Sequence, residues 1–96
     1  LDFCERTSND KIIITHGTDT MIDTAQKLSK IMNKTIILTG AMRPERFSNS
    51  DAPINVGAAI GAINSLERGV YIAMHGRVLN WNKCERNLST GQFVEK

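Results

Sequence analysis

Three consecutive isoleucines, Ile12-Ile13-Ile14, run without a spacer into Thr15-His16-Gly17-Thr18-Asp19-Thr20-Met21. A short β-branched run of this kind reads as a buried strand, and the small and polar residues after it read as a turn at the mouth of a helix. This is how α/β folds are built, and the place where strand ends meet helix starts is where they bind ligands. A glycine, a hydroxyl and a carboxylate in succession can hold an amide or carboxylate substrate with both backbone and side chain.

The rest of the chain repeats the alternation. After the strand Lys11–Thr15, a helix is expected from near Thr20, with Thr20 and Asp23 as a capping-box-like pair. Met21, Ala25, Leu28 and Met32 share one of its faces, and Asn33-Lys34 closes it. Thr35–Thr39 is a second apolar strand of the kind buried on both faces in a parallel sheet. A loop follows to Asp51, with Pro44 and the cluster Ser48-Asn49-Ser50-Asp51. Pro53 falls in the first turn of the next helix, where its missing amide proton costs nothing. That helix carries Val56, Ala59, Ile60, Ile63 and Leu66 on one face, and Gly57, Ala58, Gly61 and Ala62 make it slim enough for close packing. It ends at Gly69. A third strand spans residues 70–74, and a possible short strand lies around Val78-Leu79 after His75-Gly76. The pattern predicts an α/β, doubly wound parallel sheet whose right-handed crossovers place helices on its faces.

Length and composition bound the function. The 96 residues allow at most one domain, and 41% hydrophobic with 23% charged residues is ordinary for a globular protein. So short an α/β sheet is marginal alone, which leads us to expect an oligomer or an incomplete domain. The opening in loop-like sequence without a methionine also suggests a fragment. The net charge of +2 comes from dispersed Lys and Arg, with no basic stripe, so no nucleic-acid partner is expected. No apolar run approaches a membrane span and Leu1-Asp2-Phe3-Cys4-Glu5-Arg6 lacks a signal-peptide profile, so no membrane association and a cytoplasmic location are expected. Cys4 and Cys84 match no zinc or redox spacing and read as reduced structural thiols.

Parallel strands bring the segments that follow them to one sheet edge. A pocket is therefore expected from Gly17, Thr18, Asp19, Ala41 and Met42, with His75 a further candidate. No G-x-G-x-x-G follows a strand and no phosphate-cradling loop is present, so nucleotide binding is not indicated. His16 and Asp19 make a weak metal pair without a third ligand, and there is no serine-hydrolase elbow. Threonine and aspartate chemistry remains. A threonine hydroxyl attacks, or orients a water, only if another group takes its proton, for which a lysine held beside a carboxylate is a candidate. Asp19 is either that carboxylate or the holder of a substrate ammonium. On the residues alone, simple helix capping by Thr18, Asp19 and Thr20 is an equal alternative.

At these residues the chain resembles the bacterial-type asparaginase and glutaminase family, whose second signature, H-G-T-D-T followed by an aliphatic residue or Met, matches residues 16–21. The resemblance continues through Thr39-Gly40-Ala41-Met42-Arg43-Pro44, Ser50-Asp51-Ala52-Pro53-Ile54-Asn55, Gly69 with the third strand, and Gly76-Arg77-Val78-Leu79. It implies the three-layer, flavodoxin- or Rossmann-like fold of the family's amino-terminal domain, incomplete at its start, with residues 1–96 as one partial domain. It further implies hydrolysis of the side-chain amide of L-asparagine, with L-glutamine as a secondary substrate, and no cofactor or metal. Family members assemble as dimers or tetramers that complete their pockets across subunits, so a homo-oligomer is implied as well.

By that resemblance Thr18 and Asp19 are catalytic members of a Thr-Asp-Lys triad, Asp19 also anchors the substrate ammonium, and Ala41 offers its carbonyl to the substrate amide. Gly17 and Met42 complete the binding set. Two departures stand out. The family's first signature, with its threonine nucleophile, would lie upstream of Leu1. The triad lysine aligns with Arg86, which stays protonated and is a poor proton acceptor; Lys83 is the nearby alternative. His16 is expected to hold the loop through its ring nitrogens, Arg43 with Pro44 to shape the loop, and Ser50 with Asp51 to cap the second helix or brace the pocket. Trp81 is a candidate interface residue. The competing class is a non-catalytic module that binds an amino acid or serves as part of an amidotransferase.

Overall fold

A computed structural model describes residues 8–31, 33–42 and 50–96. The expectations for Cys4, Met32, Arg43, Pro44, Ser48 and Asn49 fall outside the described residues. In chain order the elements are β1 (Lys11–Thr15), α1 (Met21–Leu28), β2 (Thr35–Thr39), α2 (Ala52–Ala62), β3 (Gly69–Met74), β4 (Arg77–Asn80), a 3-10 turn at Trp81–Lys83, β5 (Cys84–Arg86) and β6 (Phe93–Glu95).

Strands β1, β2 and β3 lie side by side in parallel, with Ile12 opposite Ile36 and Ile36 opposite Val70. Central β2 is buried along its whole length, because strands flank it on both sides and side chains cover both faces. Strand β4 closes the order by pairing antiparallel with β3, Met74 facing Arg77. The two-residue connection His75-Gly76 has φ of 57° and 70°, the positive pair that a type I′ hairpin turn needs. Strands β5 and β6 form a separate two-stranded hairpin.

Alternation along the strands divides the core. Ile36, Leu38, Val70, Ile72 and Met74 face α1 through Met21, Ala25 and Leu28, and this layer also takes in Cys84 and Phe93 of the hairpin. Ile37 and Ala73 face the other way, onto Ala59 of α2. The expected α/β class, a parallel sheet with helices on both faces, is present, but its route differs. Strands in the order β1-β2-β3 progress in one direction, so two right-handed crossovers would put both helices on one face. Helices on opposite faces require that one crossover be left-handed.

Three local expectations are corrected. Thr20 is the residue before α1, yet its hydroxyl makes no capping bond; its ψ of 15° departs from the extended conformation that aims an N-cap oxygen at the first turn. Helix α1 ends at Leu28, before Asn33, which takes a left-handed φ of 70°. Helix α2 buries Ala52, Asn55 and Ala59 and leaves Ile60 59% exposed; a side chain added at Gly57 or Gly61 would meet nothing within 4 Å. Apolar residues surround α2, so periodicity could not select its inward face. Trp81 is half-buried against the α1-side core.

Candidate active site

The loop after β1 is held by His16. Its backbone N–H donates to Thr39 O at 2.8 Å, tying the loop to the end of β2. Its Nδ1 lies 2.6 Å from Gly17 O, and its Nε2 lies 2.9 Å from Thr24 Oγ1. A carbonyl oxygen only accepts, so Nδ1 carries the proton and, in the neutral ring, Nε2 accepts from the Thr24 hydroxyl. Both ring nitrogens are therefore engaged within the loop and α1. The neighbouring loop must approach closely, because a Cβ on Gly40 would overlap the His16 carbonyl oxygen and crowd Met21 Cε. Only glycine fits there.

Asn55 organises the other two strand ends. It is fully buried, and its Nδ2 donates to Gly40 O at 2.9 Å and to Asp51 Oδ2 at 3.0 Å, with Met74 Sδ at 3.7 Å. Its Oδ1 accepts from Gly76 N–H at 3.2 Å. One side-chain amide thus links the loop after β2, the start of α2 and the β3–β4 turn. Asp51 extends the link, since the same Oδ2 accepts from Met42 N–H at 3.0 Å. Asp51 makes no side-chain capping bond and so braces the loop, whereas Ser50 Oγ accepts from Ala52 N–H at 3.2 Å at the head of α2. Sequence reasoning passed over Asn55. Its only local signal is a polar amide in an otherwise small and apolar helix.

The residues expected in one pocket occupy two concavities. The first, of about 390 Å3, is lined by Thr15, His16, Gly17, Gly40, Ala41, Ala52 and Val56. The second, of about 240 Å3, is lined by Thr18, Asp19, Ile22, Asp23, Arg86 and Leu88. Gly17 and Ala41 therefore line one concavity and the next residues, Thr18 and Asp19, a second, the backbone bending at Thr18. Met42 lines neither, its side chain packing on the α1-side core. His75 also lines neither: its Nε2 accepts from Phe93 N–H at 3.0 Å, tying the β3–β4 turn to β6.

Arg86 meets Asp19 across 67 positions of sequence, Nη1 donating to Oδ1 at 2.7 Å. The β5–β6 hairpin brings it there. Asn87 closes the hairpin tip: its N–H donates to Gln92 O at 2.7 Å, its O accepts from Gly91 N–H at 2.7 Å, and its Oδ1 accepts from Ser89 and Thr90 N–H. Arg86 Nε donates to Gly91 O at 3.1 Å, and the guanidinium lies 6.0 Å from the Phe93 ring centre. Lys83 is exposed in the 3-10 turn and makes no hydrogen bond or ion pair to the Thr18–Asp19 loop. No trio of His, Cys, Asp or Glu with metal-binding geometry occurs among the described residues. No helix among them is long and apolar enough to cross a membrane. At the start of the hairpin, burial pushes the Cys84 thiol above its ordinary range, outweighing the nearby cations Arg77 and Lys96.

Residues 3–92 match the family model described as the amino-terminal domain of asparaginase. A glutamyl-tRNA(Gln) amidotransferase component from Methanococcus maripaludis is 48% identical over 67 residues, covering 68% of this chain and 16% of that protein. The glutaminase-asparaginase of Acinetobacter glutaminasificans is 32% identical over 102 residues, covering 99% of this chain and 31% of its own length. Among solved structures, the probable cytoplasmic L-asparaginase of Campylobacter jejuni superposes with a TM-score of 0.79 at 32% identity, covering 92% of this chain and 29% of that one. The chain spans less than a third of each of these proteins.

Proposed function

This chain belongs to the asparaginase family, and from that membership and its strand-end site we propose an asparaginase-like amidohydrolase acting on the side-chain amide of L-asparagine. L-Glutamine is the secondary substrate, and L-aspartate and ammonia are the products of the main reaction. The observation that carries the reading is the Thr18-Asp19 pair standing beside a cation on the β5–β6 hairpin, inside the family's own signature. A threonine hydroxyl attacks the carboxamide carbon and its proton is passed on to the amide nitrogen, the C–N bond breaks and ammonia leaves, and water then cleaves the acyl ester, one of its protons returning to the threonine oxygen. Within these residues Thr18 is the hydroxyl so placed. Asp19 orients the reacting groups and holds the ammonium, Arg86 stabilises negative charge that develops on the carbonyl oxygen, and Ala41 O receives the amide N–H. Gly17 and Met42 shape the approach through their backbones. Ammonia release from L-asparagine, compared with that of Thr18→Ala, tests the reading. Release that disappears in the variant is expected; release that persists removes Thr18 from the chemistry.

A second reading rests on the permanent charge of Arg86 and the similarity to the amidotransferase component. In it the chain binds an amino acid without hydrolysing it, and the same assay shows no ammonia from a folded, ligand-binding protein.

The one-domain organisation of residues 1–96 belongs to the same proposal, as does a homo-oligomer. The exposed face of α2, with Ile54 and Ile60 at 65% and 59% exposure, supports the oligomer. Sedimentation measures it directly. A cytoplasmic location rests on the description of the Campylobacter jejuni neighbour and is tested by fractionation.

A further inference from the structure

Arg86 has more hydrogen-bonding capacity than its partners use. A guanidinium offers five N–H donors in a planar fork. Nε serves Gly91 O and Nη1 serves Asp19 Oδ1, while Nη2 has no partner among the described residues. The Arg86 side chain is 25% exposed and that of Asp19 88%, so the cation is set into the wall and the carboxylate stands at the rim. Two tethers and the Phe93 ring hold the guanidinium in place before any ligand arrives, which lowers the ordering cost of binding. On the carboxylate, Oδ1 is occupied and Oδ2 is open. Ile22 and Leu88 supply apolar walls to the same concavity.

The site therefore offers a fixed cationic donor next to an anionic acceptor, the complement of a zwitterion. A guanidinium also cannot give up its proton in the accessible pH range, so Arg86 does not serve as a base. Resting on the reading of this site as one for a free amino acid, we propose that Arg86 is a ligand-positioning residue that receives an amino-acid carboxylate on Nη2 while Asp19 Oδ2 takes the ammonium. The carboxylate comes either from the α position or from the side chain, and both share the planar anionic geometry that a guanidinium matches.

The test uses the full chain and three ligands that differ only in carboxylates, titrated by calorimetry or by chemical shift. L-Asparagine has only the α-carboxylate, L-isoasparagine only the side-chain carboxylate, and L-aspartic diamide neither. We expect the wild type to favour at least one monocarboxylate over the diamide by about 10-fold or more, the scale of one charge-assisted hydrogen bond. The preferred isomer identifies which carboxylate is bound. In Arg86→Gln the preference falls below about 2-fold while diamide affinity is unchanged, and Arg86→Lys retains part of it. A preference that survives in Arg86→Gln overturns the proposal. So does a parallel loss for all three ligands, which would make Arg86 merely structural. A folded wild type that binds none of the three removes the amino-acid reading itself, and this inference with it.

Discussion

The two concavities at the sheet edge are built on opposite principles. Around the first, loops are locked from within: Asn55 is fully buried and bonded to three segments, and Gly40 is pressed against the His16 carbonyl. Around the second, the decisive contact is an ion pair between a rim carboxylate and an arginine carried on a separate hairpin. Buried polar networks fix geometry because breaking one strands several desolvated groups at once. Exposed ion pairs contribute little stability. The first region is thus a scaffold and the second a contact of little weight in the fold, a division that the following changes test.

The largest effect is expected from Asn55→Leu. It leaves Gly40 O and Gly76 N–H without their partner in a buried position, at a cost of about 2–4 kcal/mol in denaturant unfolding. A loss below about 1 kcal/mol would mean that the scaffold does not depend on this amide. Gly40→Ala comes next, at about 2–3 kcal/mol, because the new methyl group meets backbone at His16, which cannot rotate aside. Amide exchange should accelerate in the loop after β1 in that variant and stay unchanged in the β5–β6 hairpin.

These residues also show what could be read in advance. Strands β1 to β3 were legible because β-branched runs between helical stretches have few other solutions, whereas β5 and β6 carry no such run and were not foreseen; Met21, Ala25 and Leu28 announced the inward face of α1 by their spacing. The inward face of α2 was not, since Ile54 and Ile60 are as apolar as anything it buries; the polar bonds of Asn55 set its rotation, and those partners lie on other elements. The hand of the crossovers was hidden for a similar reason, as helix and strand order alone do not say on which side each helix returns. The contact of Arg86 with Asp19 joins residues 67 positions apart, and no local pattern encodes it. Only the family resemblance put those two residues on the same list of candidates.

The hairpin's footing can be probed by pH. Cys84 begins β5 and is buried, and its thiol holds its proton more tightly in the folded protein than in the unfolded chain. Below about pH 9 both states are protonated and the contribution is constant; above it the unfolded chain ionises first, so stability falls with rising pH. Tyr71 acts in the same direction from about pH 10, its hydroxyl desolvated and close to Glu67. The unfolding midpoint should therefore drop between about pH 9 and 10.5. Cys84→Ala should flatten that slope, by at most about 1.4 kcal/mol for each pH unit above the unfolded value. Equal slopes in the two proteins would show that the hairpin does not shield Cys84.

The smallest stability change belongs to the contact placed at the centre of function. In a double-mutant cycle of Asp19→Asn with Arg86→Gln, the coupling energy for unfolding should lie between about 0 and 1 kcal/mol, because Asp19 is largely solvated and salt screens the pair. Ligand binding should respond far more strongly to the same two changes, since the charges then act on a third group that the concavity partly removes from water. A large unfolding coupling that survives high salt would place the pair with the scaffold and erase the contrast. A coupling near zero, together with lost binding in either single variant, would show that the hairpin contacts the loop for the sake of the ligand and not of the fold.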